Sequence, residues 1–157
     1  MVIIPGLHGR DASDMQGSFK TIGLVGRSQQ EGLDLVLQEL LALLDARGLE
    51  VILEERLVEL APDHGQRVAS RDEIGEEADL VIVAGGDGSL LSAARTLAKY
   101  ETPVLGVNRG RLGFLTDISP DEIGEQVPAV LDGHYTSENR FLLDADVHRG
   151  DHIVGRA

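Results

Sequence analysis

Cysteine is absent from this 157-residue sequence, and so is tryptophan. Without cysteine there is no disulfide framework and no thiolate metal site. Aromatic residues make up only 3% of the chain. That argues against a single-stranded nucleic-acid surface, which needs aromatic stacking platforms. The core must then be Val, Ile, Leu and Ala, which suits a parallel sheet buried on both faces. Positive charge is also scarce: 14 Lys and Arg stand against 27 Asp and Glu, a net charge of −13. Such a surface repels DNA, RNA and anionic membrane. Any anionic ligand has to be held locally, by amides, arginine or a metal ion. No apolar run approaches the ~20 residues that span a bilayer. The start, Met1-Val2-Ile3-Ile4-Pro5, is too short an apolar region for a signal peptide and has no basic flank before it. A cytoplasmic protein without nucleic-acid or membrane partners is expected.

What is present is a normal globular composition, 42% hydrophobic and 26% charged. The length allows one domain with a real core. Residues 1–17 carry Gly6, Gly9 and Gly17 among polar residues, show no periodicity and read as a disordered extension, with Met15 a candidate natural start. Phe19 to Val25 reads as a first strand. Ser28-Gln29-Gln30-Glu31 has the form of a capping box, and Leu33, Val36, Leu37, Leu40, Leu41 and Leu44 then form a helical stripe ended by Gly48. Val51-Ile52-Leu53 is a second strand and residues 58–69 are irregular. Ser70-Arg71-Asp72-Glu73 caps a short helix through Ala78, Asp79 to Ala84 is a third strand, Ser89 to Lys99 a helix, and Pro103 to Val107 a fourth strand. Alternating strands and helices predict an α/β fold, a Rossmann-like parallel sheet with right-handed crossover helices over residues 18–134. Ser119-Pro120-Asp121-Glu122 caps another helix, in which Pro128 should cause a kink or a stop. From residue 135 the pattern changes. Arg140 to His148 partly alternates, Arg149-Gly150-Asp151 is a turn, and His152-Ile153-Val154 returns. A lone hairpin is marginal in water, so residues 135–157 read as the first hairpin of a mostly missing β-rich second domain.

The most unusual stretch is Val81 to Leu91, where a buried strand runs into Gly85-Gly86-Asp87-Gly88-Ser89 and then a helix. Glycines let a ligand approach the backbone, and free amides at a helix start attract anions. A carboxylate would repel phosphate in a simple cradle. Asp87 therefore points to another use: taking a proton from a hydroxyl nucleophile, or holding Mg²⁺ on a polyphosphate. The plain alternative is a tight turn with Asp87 as helix cap. The strand before and the helix after favour function. The turn is neither a Walker P-loop nor the dinucleotide fingerprint. The second unusual stretch, Asn108-Arg109-Gly110-Arg111-Leu112-Gly113-Phe114-Leu115-Thr116-Asp117, also follows a strand directly. Its arginines can hold phosphate, and Phe114 or Leu115 can cover a base or ribose. Taken alone, it reads better as a loop whose apolar residues tuck into the core.

Other residues carry less. His148 and His152 flank a turn with no third ligand in view, so no resident metal site is assigned. The Arg149-Gly150-Asp151 tripeptide is a hairpin turn, the pairs Glu54-Glu55 and Glu76-Glu77 read as solvated surface, and His64 has no nameable partner.

Together, Gly85-Gly86-Asp87-Gly88, Arg95 and Asn108 to Asp117 resemble bacterial NAD kinases. The resemblance covers roughly residues 19 to 157. It extends through Leu131-Asp132-Gly133-His134-Tyr135 and Arg140-Phe141-Leu142-Leu143. The glycine–aspartate turn alone is shared with phosphofructokinases and lipid kinases; the second stretch narrows it. The resemblance implies transfer of the γ-phosphoryl of ATP, or of polyphosphate, to the 2′-hydroxyl of the adenosine ribose of NAD, giving NADP. It implies help from Mg²⁺ or another divalent cation. It makes Asp87 the catalytic base. Gly85, Gly86, Gly88, Ser89, Arg95, Asn108, Arg109, Phe114 and Leu115 fall in the nucleotide-binding set. Homodimers or homotetramers in the cytoplasm are implied as well. Two features of the family, an Asn-Glu or Asn-Asp pair and a Gly-rich segment in its second domain, do not occur here. The chain thus reads as an N-terminal fragment with little or no activity by itself. The other readings are a lipid or sugar kinase of the same superfamily and a nucleotide-binding module without catalysis.

Overall fold

The computed structural model describes residues 19–27, 32–62, 65–109, 113, 115–116, 118–143, 145–150 and 152–155, together with the backbone alone of 2–4 and 156. The chain begins with strand β1 (Val2–Ile4), followed by β2 (Thr21–Gly26), α1 (Leu33–Ala46) and β3 (Glu50–Glu54). A 3₁₀ segment, Glu55–Leu60, leads to β4 (Arg67–Ala69) and α2 (Arg71–Glu77). Then come β5 (Leu80–Ala84), α3 (Asp87–Leu97) with a closing 3₁₀ turn, and β6 (Val104–Val107). A 3₁₀ turn at Pro120–Glu122 opens α4 (Ile123–Leu131), and β7 (Glu138–Asn139), β8 (Asp146–Arg149) and β9 (His152–Arg156) finish the chain.

Seven strands form one sheet in the order β4-β3-β2-β5-β6-β1-β7, and β8 pairs with β9 in a separate antiparallel hairpin. Every pairing in the sheet is parallel except that of β1 with β7. Successive residues of a strand face opposite sides. On β5, Leu80, Ile82 and Ala84 join the core under α1 and α4, while Val81 and Val83 join the core under α2 and α3. Both faces are therefore covered, which is why β5 reads as an unbroken apolar run. The stripe of α1 buries Leu33, Val36, Leu37, Leu40 and Leu44, and Gly48 follows in the left-handed region at φ 66. Arg47 and Asp132 join the ends of α1 and α4 through a 2.7 Å ion pair. Ser70 and Ser119 each complete the capping box that their sequences predict. The box at Ser28 to Glu31 lies outside the described residues.

Three features differ from the sequence reading. Val2–Ile4 is a strand within the stretch read as a disordered extension; its backbone groups pair with β6 on one side and β7 on the other. Residues 58–69, read as irregular, contain β4, a three-residue strand with an exposed Arg67 and a half-apolar face. Strands this short carry no period for a sequence to display. Pro128 lies inside α4, which runs on to Leu131. The proline costs one backbone hydrogen bond. Against that, Val127 and Val130 are fully buried, and the Asp132 N–H resumes the ladder on the Pro128 carbonyl at 2.9 Å.

Strand order reverses direction between β2 and β5. In open parallel sheets the crevice beyond the carboxyl ends of the strands at that reversal is where ligands bind. Gly26-Arg27 forms one lip of that crevice and Gly85-Gly86-Asp87 the other.

Candidate functional site

β5 ends at Ala84, and Gly85 turns the chain with φ 144, a conformation that side chains disfavour. The Gly85 N–H donates to the Val107 carbonyl at 2.8 Å, pinning the turn to the end of β6. Gly86 is the N-cap of α3, and its carbonyl accepts from the amides of Ser89 (2.8 Å) and Leu90 (3.2 Å). The helix thus starts at Asp87, two residues earlier than the sequence suggests. Asp87 sits in its first turn, where the helix dipole favours the ionised carboxylate. Among the described residues no atom lies within 4 Å of where a Cβ would stand on Gly86 or Gly88. Ser89 is buried beneath them.

The second stretch folds back onto this carboxylate. Asn108, at the end of β6, is buried; its own N–H donates to the Ile118 carbonyl at 2.7 Å and its Oδ1 accepts from the Arg109 N–H at 2.8 Å. Its side-chain Nδ2 donates to Thr116 Oγ1 (3.1 Å), and Thr116, fully buried, donates to Asp87 Oδ1 (3.3 Å). The Leu115 N–H donates to the same oxygen at 3.1 Å. Gly113 lies directly against Asp87: a Cβ there would stand 2.1 Å from Oδ1. Two segments separated in sequence therefore meet on one carboxylate.

The structure brings together Gly85, Gly86, Asp87, Gly88, Ser89, Asn108 and the backbone of Leu115. The Leu115 side chain packs on the core under α2 and α3, as the plainer sequence reading has it. Arg109 is exposed just beyond Asn108. Arg95 is also exposed and lies in the last turn of α3, about 12 Å along the helix from Asp87. It is not gathered to the turn. Phe114 lies outside the described residues. Among the described residues no three His, Cys, Asp or Glu gather as a metal cluster.

Two sets of residues went unmarked in the sequence. Thr116 is one; it belongs to the Asn108 to Asp117 stretch, but nothing in its place between Leu115 and Asp117 singles it out. The other is Glu54, read as solvated surface but buried to 3% exposure at the tip of β3. Its Oε2 accepts the Gly26 N–H at 3.0 Å, and its Oε1 lies 2.8 Å from Nη2 of Arg71. The sign of its burial was its place directly after Val51-Ile52-Leu53. Glu77, by contrast, is exposed and pairs with Arg67, which holds its carboxyl below the usual range.

The ATP-NAD kinase N-terminal domain, as a protein family, matches residues 22–135. The NAD kinase of Chromohalobacter salexigens is 58% identical over 139 residues, 88% of this chain and 47% of that protein. That of Alcanivorax borkumensis is 54% identical over 140 residues, 89% of this chain and 47% of its own length. This chain thus spans about half the length of the curated relatives it matches. In three dimensions it is similar to yeast NADH kinase complexed with NADH, at TM-score 0.69 and 17% identity, over 84% of this chain and 45% of that one. That likeness bears on the fold. The family match, which covers most of the chain, settles the rest: this chain belongs to the NAD kinase family through its ATP-NAD kinase N-terminal domain.

Proposed function

We propose that this chain supplies the Asp87 half of an NAD kinase, which phosphorylates the adenosine ribose 2′-hydroxyl of NAD to give NADP. The observation that carries the reading is the carboxylate of Asp87. It stands in the first turn of α3 and is held by the Leu115 amide and the Thr116 hydroxyl, beside two glycines, Gly86 and Gly88, that no described residue crowds. In this reading the 2′-oxygen attacks the γ-phosphorus of ATP. The bond from that phosphorus to the β–γ bridging oxygen breaks, and ADP leaves with the electron pair. The hydroxyl proton passes to Asp87. The proton moves late, as the transferring group is captured. The hydrogen bonds from Leu115 and Thr116 to Oδ1 fix the direction of the carboxylate.

Gly85, Gly86, Gly88, Ser89, Asn108 and Arg109 form the nucleotide contacts in this proposal, with Phe114 and Leu115 in the adjoining loop. Arg95 is the weakest member, given its distance from the turn. A divalent ion bound to the phosphates of the donor, ATP or polyphosphate, would neutralise the charge that develops on the transferring group. Residues 18–134 carry the α/β domain, whose sheet also takes in β1 and β7, and the β8–β9 hairpin within residues 135–157 opens a β-rich second domain needed for full activity. A homodimer or homotetramer in the cytoplasm completes the proposal. No helix among the described residues is long and apolar enough to cross a membrane.

The test supplies the complete protein with NAD, ATP and Mg²⁺ and follows NADP with an NADP-specific dehydrogenase. NADP is expected, and none from an NAD analogue lacking the adenosine 2′-hydroxyl. Absence of NADP, or phosphorylation of that analogue, contradicts the reading.

A further inference from the structure

Glu54 and Arg71 form a buried ion pair on the far side of the crevice from the Asn108–Thr116 loop. Glu54 is 4% exposed and Arg71 13% exposed as side chains. Burying two charges is costly unless the geometry is good and the remaining donors and acceptors are used. Here they are used, and the partners come from four elements. The Gly26 N–H, at the end of β2, donates to Oε2 of Glu54 at 3.0 Å. Arg71, the first residue of α2, donates Nε–H to Oε1 at 3.1 Å. From its other arm, Nη1 donates to the carbonyl of Ser92 on α3 at 3.0 Å and to the Ser92 hydroxyl at 3.2 Å. Ser92 is five residues beyond Asp87 on the same helix. The pair therefore joins the Gly26 lip of the crevice to the helix that carries Asp87.

Packing alone does not require this. The face of α3 toward the sheet is already filled by Leu90, Ala93, Ala94 and Leu97. Small side chains such as Ala93 and Ala94 bring the helix close but leave its slide along the axis weakly fixed. A forked guanidinium bound to a backbone carbonyl fixes that slide, and only arginine spans two acceptors in this way. We propose that Glu54 and Arg71 are positioning residues that set the distance between the two lips of the crevice, and so the place of Asp87 relative to bound nucleotide. This rests on the proposed activity. A cleft of about 220 Å³ opens beside the pair, lined by Arg56, Asp72 and Thr96 among others. Water in that cleft can solvate a shorter side chain at position 71, so a lysine is tolerated for folding.

The test uses Arg71→Lys and Glu54→Gln in the complete protein. Arg71→Lys keeps the charge on Glu54 and loses the fork. About a tenfold fall in kcat is expected, with KM for NAD within about twofold and the melting temperature nearly unchanged, because small misplacement of a catalytic group acts on the chemical step. Glu54→Gln, which keeps an acceptor for Gly26 but removes the charge opposite Arg71, is expected to show the same fall in kcat together with a lower melting temperature, which leaves Arg71→Lys as the deciding variant. Amide exchange at residues 86–89 is expected to quicken about fivefold in Arg71→Lys at a temperature far below melting. Unchanged kcat in Arg71→Lys overturns the proposal. So does a loss of kcat in that variant that follows loss of melting temperature alone, the mark of a merely structural pair. If the wild-type protein forms no NADP, the proposed activity fails and the exchange at residues 86–89 decides the clamp: unchanged exchange overturns it.

Discussion

At the scale of single residues, Asp87 is defined by what leans on it. Its Oδ1 takes hydrogen bonds from Leu115 and Thr116, and Gly113 stands where any side chain would collide with it. Gly113→Ala is therefore expected to push the carboxylate off its mark. NADP formation should fall by about 100-fold while the fold persists, read from steady-state rates beside a melting curve. Arg71→Met is a harsher change, since it leaves the buried Glu54 carboxylate with only the exposed Arg56, 3.9 Å away, as an ion partner. A cost of about 3–5 kcal/mol is expected by denaturant titration. Much of the site was legible at this scale. Gly85 to Ser89 stands out because an acid among glycines between an apolar strand and a helix does not suit a simple phosphate cradle, while Asn108 to Asp117, which alone reads as a loop tucked into the core, gains weight beside it. Glu54 and Thr116 did not stand out. A carboxylate pair looks the same in sequence whether solvated or buried, and only the packing of β2 and α3 around Glu54 shows which it is. Arg95 follows Asp87 by eight residues on one helix, about 12 Å along its axis, a spacing that the sequence itself shows.

At the scale of elements, the helices follow their caps. Ser70 and Glu73 satisfy each other reciprocally at the start of α2, and the Ser70 hydroxyl and amide hold the Glu73 carboxyl below its ordinary range. A carboxyl depressed in the folded state stabilises above its unfolded pKa, and that contribution is lost as pH falls through the folded pKa. Ser70→Ala is expected to lower the melting temperature by about 2–4 °C near neutrality. The difference from wild type should narrow as acid titrates Glu73, measured by calorimetry across the acid range. Long periodic elements such as α1 and buried runs such as β5 were readable, because period and composition both repeat. Val2–Ile4 and Arg67–Ala69 were not. They are strands through the edges they pair with, a tertiary fact. Pro128 shows the same override: local propensity argues for a break, and burial of the Val127–Val130 face carries α4 through it.

At the scale of the whole molecule, strand order decides where chemistry can happen. With β2 and β5 side by side and their crossovers on opposite faces, the loops after them open a single crevice. The parallel order was foreseeable from alternating strands and helices; the lips of the crevice then follow. The net charge of −13 acts on the same scale. Self-repulsion destabilises the compact state, so the melting temperature is expected to rise as salt goes from about 0.01 M to about 0.15 M and the Debye length shrinks from ~30 Å to ~8 Å. A thermal melt series in sodium chloride at constant pH reads this. The direction of the carboxylate and the room over Gly86 and Gly88 among the described residues are the observations behind the proposal that Asp87 accepts the ribose proton. The most direct measurement is the rate of NADP formation by the complete protein with Asp87→Asn, which keeps the size of the side chain and removes its basicity. A fall of about 100- to 10,000-fold with an unchanged melting temperature is the expected result. A rate equal to wild type would contradict the account.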